Sequence, residues 1–142
     1  MITEWNRGAD GVTTRAPAPA ADPVVAVLGQ QSRVAALPPH LPSGWQMRQL
    51  GSIDDARPGE LVLLSGARAE DVRLARAVLP RASRVVALID EWAPAELVAG
   101  VLTAGADVCV RGGHPAILAG HLVACRRQLA ERWANMDLPH PA

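Results

Sequence analysis

Arg84-Val85-Val86-Ala87-Leu88-Ile89 opens the stretch that decides the fold. It continues through Ala95 to Ala104 behind Pro94, then Val108-Cys109-Val110, then Arg111-Gly112-Gly113-His114, and ends in a run to Trp133. Arg84 to Ile89 is apolar, short and rich in β-branched residues, which predicts a strand buried on both faces. Pro94 suits a first helical position. Leu97, Val98, Val101 and Leu102 fall at helical spacing before Gly105 stops the helix. Val108 to Val110 predicts a second buried strand. After Pro115 the residues Leu118, Leu122, Cys125, Leu129 and Trp133 advance by three or four, the period of an amphipathic helix. Strand, helix, strand, helix with short Gly-marked connections predicts parallel strands joined by right-handed crossovers.

Working outward, Val24 to Leu28, ending at Gly29, reads as a central strand. A short helix over Gln30 to Leu37 is expected to stop at Pro38-Pro39. Trp45 to Leu50 alternates apolar and polar residues, as a half-exposed edge strand does. Ser52 is placed to cap a very short helix through Ala56, with Asp54 and Asp55 in its first turn, where acids favour the helix dipole; that reading is preferred to a metal site. Leu61 to Ser65 is another buried strand. Ala69 to Leu79 is a helix with Val72, Ala75, Val78 and Leu79 inward, Arg68, Arg73 and Arg76 on a solvated face, and Pro80 as its stop. Five strands alternating with five helices predict an α/β fold, an open five-stranded parallel sheet flanked by helices on both faces.

Length and composition narrow the function. The chain has 142 residues and is 49% hydrophobic, enough for one domain with one core. Residues 23–134 form that domain. Met1 to Asp22 is a polar, then Ala/Pro-rich arm expected to lie outside the fold, with Trp5 its one docking feature, and residues 135–142 are a short tail. Fourteen Arg balance fourteen acids, so the global basic field that non-specific nucleic-acid binding draws on is missing. There is no Lys, which excludes Schiff-base and phosphate-loop chemistry. Cys109 and Cys125 lack metal-type spacing and read as packing residues in a reducing compartment. No signal pattern and no membrane-length apolar run is present, so the expected location is cytoplasmic.

With the elements placed, Val24 to Trp133 resembles the receiver domain of two-component response regulators. Pro58-Gly59-Glu60-Leu61-Val62-Leu63-Leu64 is similar to that family's run into its third strand, and Ala104-Gly105-Ala106-Asp107 to its approach to the fifth. The resemblance implies the flavodoxin-like sheet order 2-1-3-4-5. It also implies where a phosphorylation site would be, and there the chain departs from the pattern. Gln30, within Leu28-Gly29-Gln30-Gln31, stands where receivers bear paired acids for Mg²⁺. Ser65 replaces the phosphoacceptor aspartate, Asp90 replaces a serine or threonine, and Arg111-Gly112-Gly113 lies where a lysine-proline belongs. The resemblance therefore implies an atypical pseudo-receiver with no cofactor and no metal.

At the carboxyl edge of such a sheet Gln30, Ser65, Asp90, Glu91, Arg111 and His114 are expected to gather, with Glu91 and His114 a possible ligand edge. A Ser65-His114-Asp90 hydrolase triad has the right residue types, but Leu63-Leu64-Ser65-Gly66-Ala67 lacks the Gly two before the serine of a nucleophile elbow. The simpler expectation is that Arg111 pairs with Asp90 or Glu91. Gly112-Gly113 without a longer fingerprint does not define an anion site. His121, Arg126 and Arg127, flanked by Glu131 and Arg132, mark a possible homodimer face on the last helix. The expected function is a non-enzymatic regulatory module of bacterial signalling or transcription control, acting through a second copy or a heterologous protein. Only Ala134 to Ala142 follows Trp133, so output is expected to pass through that partner. The alternatives are a small-molecule sensor, or an adaptor resembling the receiver-like domain of pilus-assembly and septum-site ATPases.

Overall fold

The structure, a computed structural model, describes residues 22–137. Its strands are β1 (Val24–Gly29), β2 (Gln46–Gln49), β3 (Leu61–Ser65), β4 (Val85–Ile89) and β5 (Val108–Arg111). Its helices are α1 (Ala69–Val78), α2 (Ala95–Ala104) and α3 (Pro115–Asp137). All neighbouring strands pair parallel, in the order β2-β1-β3-β4-β5. This is the expected flavodoxin-like arrangement.

Successive side chains of a strand point to opposite faces. Val25, Val27, Leu61, Leu63, Val86 and Leu88 therefore meet Leu118, Leu122, Cys125 and Leu129 of α3 on one face. Val62, Leu64, Val85, Ala87 and Ile89 meet Val72 and Ala75 of α1 and Val101 of α2 on the other. The stripe read for the last helix is the buried one as far as Leu129; the side chain of Trp133 lies outside the described residues. The Met1–Asp22 arm lies outside them up to residue 21, and the tail from residue 138.

The first two expected helices are 3₁₀ turns. Gln31–Val34 and Pro38–His40 replace the helix expected over Gln30 to Leu37, and Val34 and Leu37 close the core beneath α3. The physical reason is length: a segment between Gly29 and Pro38 is too short to repay α-helix nucleation, whereas prolines are tolerated at the start of a turn. The capping of Ile53–Asp55 is as read. Ser52 Oγ accepts from the Asp54 N–H at 3.2 Å, and the Asp55 carboxylate accepts from the Ser52 N–H at 3.1 Å.

Arg76 and Arg48 are drawn out of the solvent. Arg76 is no part of a solvated face: it donates to the Gly105 carbonyl, the Ser83 carbonyl and the Asp107 carboxylate, at 2.8, 2.8 and 2.6 Å. Arg48, on the edge strand β2, makes a two-pronged contact with the buried Glu60, Nε to Oε2 at 2.9 Å and Nη2 to Oε1 at 2.8 Å. Glu60 also accepts from the Arg57 N–H at 2.7 Å. Val78, expected inward, is exposed, because α1 and α2 also pack on each other and turn that flank outward.

Burial pushes the Glu60 carboxyl up, but the Arg48 and Arg57 hydrogen bonds outweigh it and hold the group below its ordinary value. A carboxylate depressed in the folded state contributes stability above its unfolded value of about 4.3, and that contribution is lost as pH falls through the folded value. Glu60→Gln is expected to lower the free energy of unfolding at pH 7 by about 2 kcal/mol, read from urea midpoints. The gap between wild type and variant should narrow as the pH is taken below about 4.

Candidate functional site

The carboxyl edge divides into two parts. In the first, the end of β1 is locked onto the end of β3. Ser65 is buried, its hydroxyl donates to the Gln30 carbonyl at 2.6 Å, and the Gln30 N–H donates to the Ser65 carbonyl at 3.2 Å. Between them Gly29 has φ +112°, and a Cβ there would sit 2.3 Å from the Ser65 carbonyl oxygen, so only glycine permits the approach. The Gln30 side chain folds across the backbone of Gly66. Arg33 extends the lock: its Nε donates to the Gln30 side-chain oxygen, and its Nη2 lies 3.8 Å from the Asp90 carboxylate.

The second part is open. A groove of about 200 Å³ lies between the Gln31–Val34 turn and the start of α3, with the buried Leu37, Leu88 and Leu118 as its floor and the exposed Arg33, Arg111 and His114 at its margin. A neighbouring hollow of about 220 Å³ is lined by Asp90, Glu91 and Trp92 together with Arg33 and the Gly112-Gly113 turn. Glu91 lies against that turn, within 3.2 Å of where a Gly113 side chain would begin.

The six expected residues thus share one edge but not one site. Gln30 and Ser65 form the lock, Asp90 and Glu91 border the acidic hollow, and Arg111 and His114 border the groove. The expected pairing of Arg111 with Asp90 or Glu91 does not form. Arg111 Nε donates to the Ala93 carbonyl at 3.1 Å, and Arg33 takes the place beside Asp90, because the tight turn after Gln30 carries it there. Nor do Ser65, His114 and Asp90 assemble as a relay, since the Ser65 proton is directed at a backbone carbonyl. Among the described residues no trio of His, Cys, Asp or Glu could hold a metal ion.

Two residues escaped the reading of the sequence. Arg33 had a usable signal, its i+3 spacing from Gln30 on a turn. Trp92 is 83% exposed, its backbone N–H donating to Asp90 Oδ1 at 3.1 Å; an aromatic between two acids and Ala93-Pro94 marks a loop, but nothing local says it faces water. On α3, His121 and Arg127 are exposed and Arg126 is half-buried, which pulls its guanidinium below its ordinary pKa. Cys125 is buried and Cys109 half-buried, and burial raises both thiols.

Five parallel strands in the order 2-1-3-4-5, with α3 on one face and α1 and α2 on the other, define the receiver-domain fold. Solved structures agree. The chain is similar to a CheY-like response regulator receiver domain protein from Methanospirillum hungatei, with TM-score 0.61 and 13% identity over 78% of this chain and 98% of that one. It is also similar to TadZ, a CheY-like protein from Pseudomonas aeruginosa, with TM-score 0.56 and 21% identity over 84% of this chain and 98% of that one. No family model matches the sequence, and no curated protein does. Among the described residues no helix is long and apolar enough to cross a membrane.

The lock should be sensitive to single atoms. Ser65→Ala, which removes the hydroxyl bond to the Gln30 carbonyl, is expected to cost about 1 kcal/mol in urea denaturation. Gly29→Ala should cost more than about 2 kcal/mol, because the added carbon strikes backbone in a conformation that disfavours side chains.

Proposed function

We propose that this receiver-like domain works without phosphorylation, as a non-enzymatic regulatory module that acts by protein–protein contact in bacterial signalling or transcription control. The observation that carries the reading is the 2.6 Å bond from Ser65 to the Gln30 carbonyl. A receiver switch needs a carboxylate at the end of the third strand and acids after the first to hold Mg²⁺. In this chain the first position is a buried hydroxyl already bonded, and the second is a glutamine folded down over Gly66. A serine cannot form an acyl phosphate, and Asp90 would repel a phosphoryl group. The Arg33–Asp90 pair also spans that end of the sheet.

Beryllofluoride with Mg²⁺ separates this reading from a working switch. Titration followed by NMR is expected to leave the amides of Gln30, Ser65, Gly66 and Asp90 in place at millimolar metal. Saturable shifts centred on Ser65 would overturn it.

A module of this kind needs a surface, and we assign it to α2, β5 and α3, with a second copy of this chain as the partner. β5 is an edge strand with neighbours on one side alone, and His121 and Arg127 project from α3 into solvent. Paired charges of opposite sign around small residues suit an isologous contact. Wild type is expected to dimerise with a Kd tighter than ~100 μM, about −5.5 kcal/mol. His121→Glu with Arg127→Glu should weaken it at least about tenfold in sedimentation velocity while the circular dichroism spectrum stays native. A monomeric wild type at that concentration would leave a heterologous protein as the partner.

A further inference from the structure

We infer that α1 carries a second self-association face, on which two copies of the chain pack antiparallel through Leu74, Ala77 and Val78. Leu74 is 62% and Val78 43% exposed, and among the described residues they are the only two large exposed apolar side chains that share an element. Scattered singly such residues are ordinary, but four apart on a helix they are neighbours. Glu70, Leu74 and Ala77, all exposed, fall on one ridge. The fold leaves that ridge bare. α2 lies on the Ala69 side of α1, where a Cβ at Gly100 would be 3.9 Å from the Ala69 Cβ, and Val78 is half a turn round from Ala69. On the other flank the crossover from β2 to β3 contributes the short turn Ile53–Asp55 and no α-helix. The face is therefore distinct from the one assigned above to α2, β5 and α3.

Charge names the occupant. Asp71 is committed to the helix cap, its carboxylate accepting from the Arg68 N–H at 2.9 Å, which leaves Glu70 as the outward acid of the first turn. Its contact with Arg68, at 3.8 Å between two exposed side chains, holds it weakly. Arg81, exposed and in no ion pair among the described residues, follows the helix end by three residues. An acid at one end and an arginine at the other complement themselves when a second copy runs antiparallel; in the parallel sense like meets like. The midpoint between Glu70 and Arg81 in the chain is also that between Leu74 and Ala77. The register that pairs the charges thus sets Leu74 against Ala77 of the second copy, large against small. With two isologous faces, one molecule assembles beyond a dimer.

The test is sedimentation equilibrium of the full chain carrying His121→Glu and Arg127→Glu, so that loss of the contact proposed earlier and loss of this one are read separately. This parent is expected to dimerise with a Kd below ~0.5 mM. Glu70→Arg or Arg81→Glu added to it should each weaken the dimer at least about fivefold, and an equimolar mixture of the two should recover to within about twofold of the parent, because unlike charges then face each other at both ends. Leu74→Glu should abolish the dimer by placing a charge in the apolar seam. The inference falls if the parent is monomeric at that concentration, or if the mixture associates no better than either variant alone. It falls equally if Leu74→Glu, native by circular dichroism, dimerises like the parent.

Discussion

The structure depends on one constraint: β1, β3 and β4 carry apolar side chains on both faces, so neither face can be left to water. Val25, Val62, Leu63, Val86 and Ala87 are at or within 1% of complete burial. At about 1.5–3 kcal/mol for each large aliphatic side chain, uncovering one face would remove more than the net stability of a domain. The two faces are covered unequally. α1 and α2 share one, while the other rests on the single long helix α3, helped by Val34 and Leu37 from the turns that follow β1.

That asymmetry explains the carboxyl edge. Where a full helix would follow β1, the chain turns at once, and this brings Gln30 down onto Ser65 and Arg33 back toward Asp90. The same tight turn leaves space between itself and the start of α3, which is the groove. Lock and groove are two results of one shortened connection.

Most of the fold was legible because buried strands and amphipathic helices write their period into the sequence. β1, β3, β4 and β5, and the helices after Arg68, Pro94 and His114, fall where the apolar spacing puts them. The helix expected over Gln30 to Leu37 is instead two 3₁₀ turns, since apolar residues over so short a span look alike in an α-helix and a 3₁₀ turn, and length decides between them. The site was legible as a set of residues and not as a set of partners. Topology brings Ser65, Asp90 and Arg111 to one edge, but which carboxylate meets which arginine depends on loop paths, and there Arg33 displaced Arg111. Arg76 was misplaced for the same reason. Its spacing on α1 puts it on the outer flank, yet a long side chain can reach a carbonyl and a carboxylate in the next crossover.

The Arg76 contacts bear on how the molecule opens. One guanidinium holds the carbonyl after α1, the carbonyl that ends α2 and the carboxylate leading into β5, and that same Asp107 carboxylate accepts from the Val85 N–H at 2.8 Å and from Arg84 at 3.2 Å. The start of β4, the start of β5 and the ends of α1 and α2 are thereby tied at a single point, at the opposite end of the sheet from the lock. Local openings follow such cooperative units. Amide exchange should then register α1, β4, α2 and the head of β5 as one block with a common rate, while β2, held at the sheet's far edge, exchanges on its own.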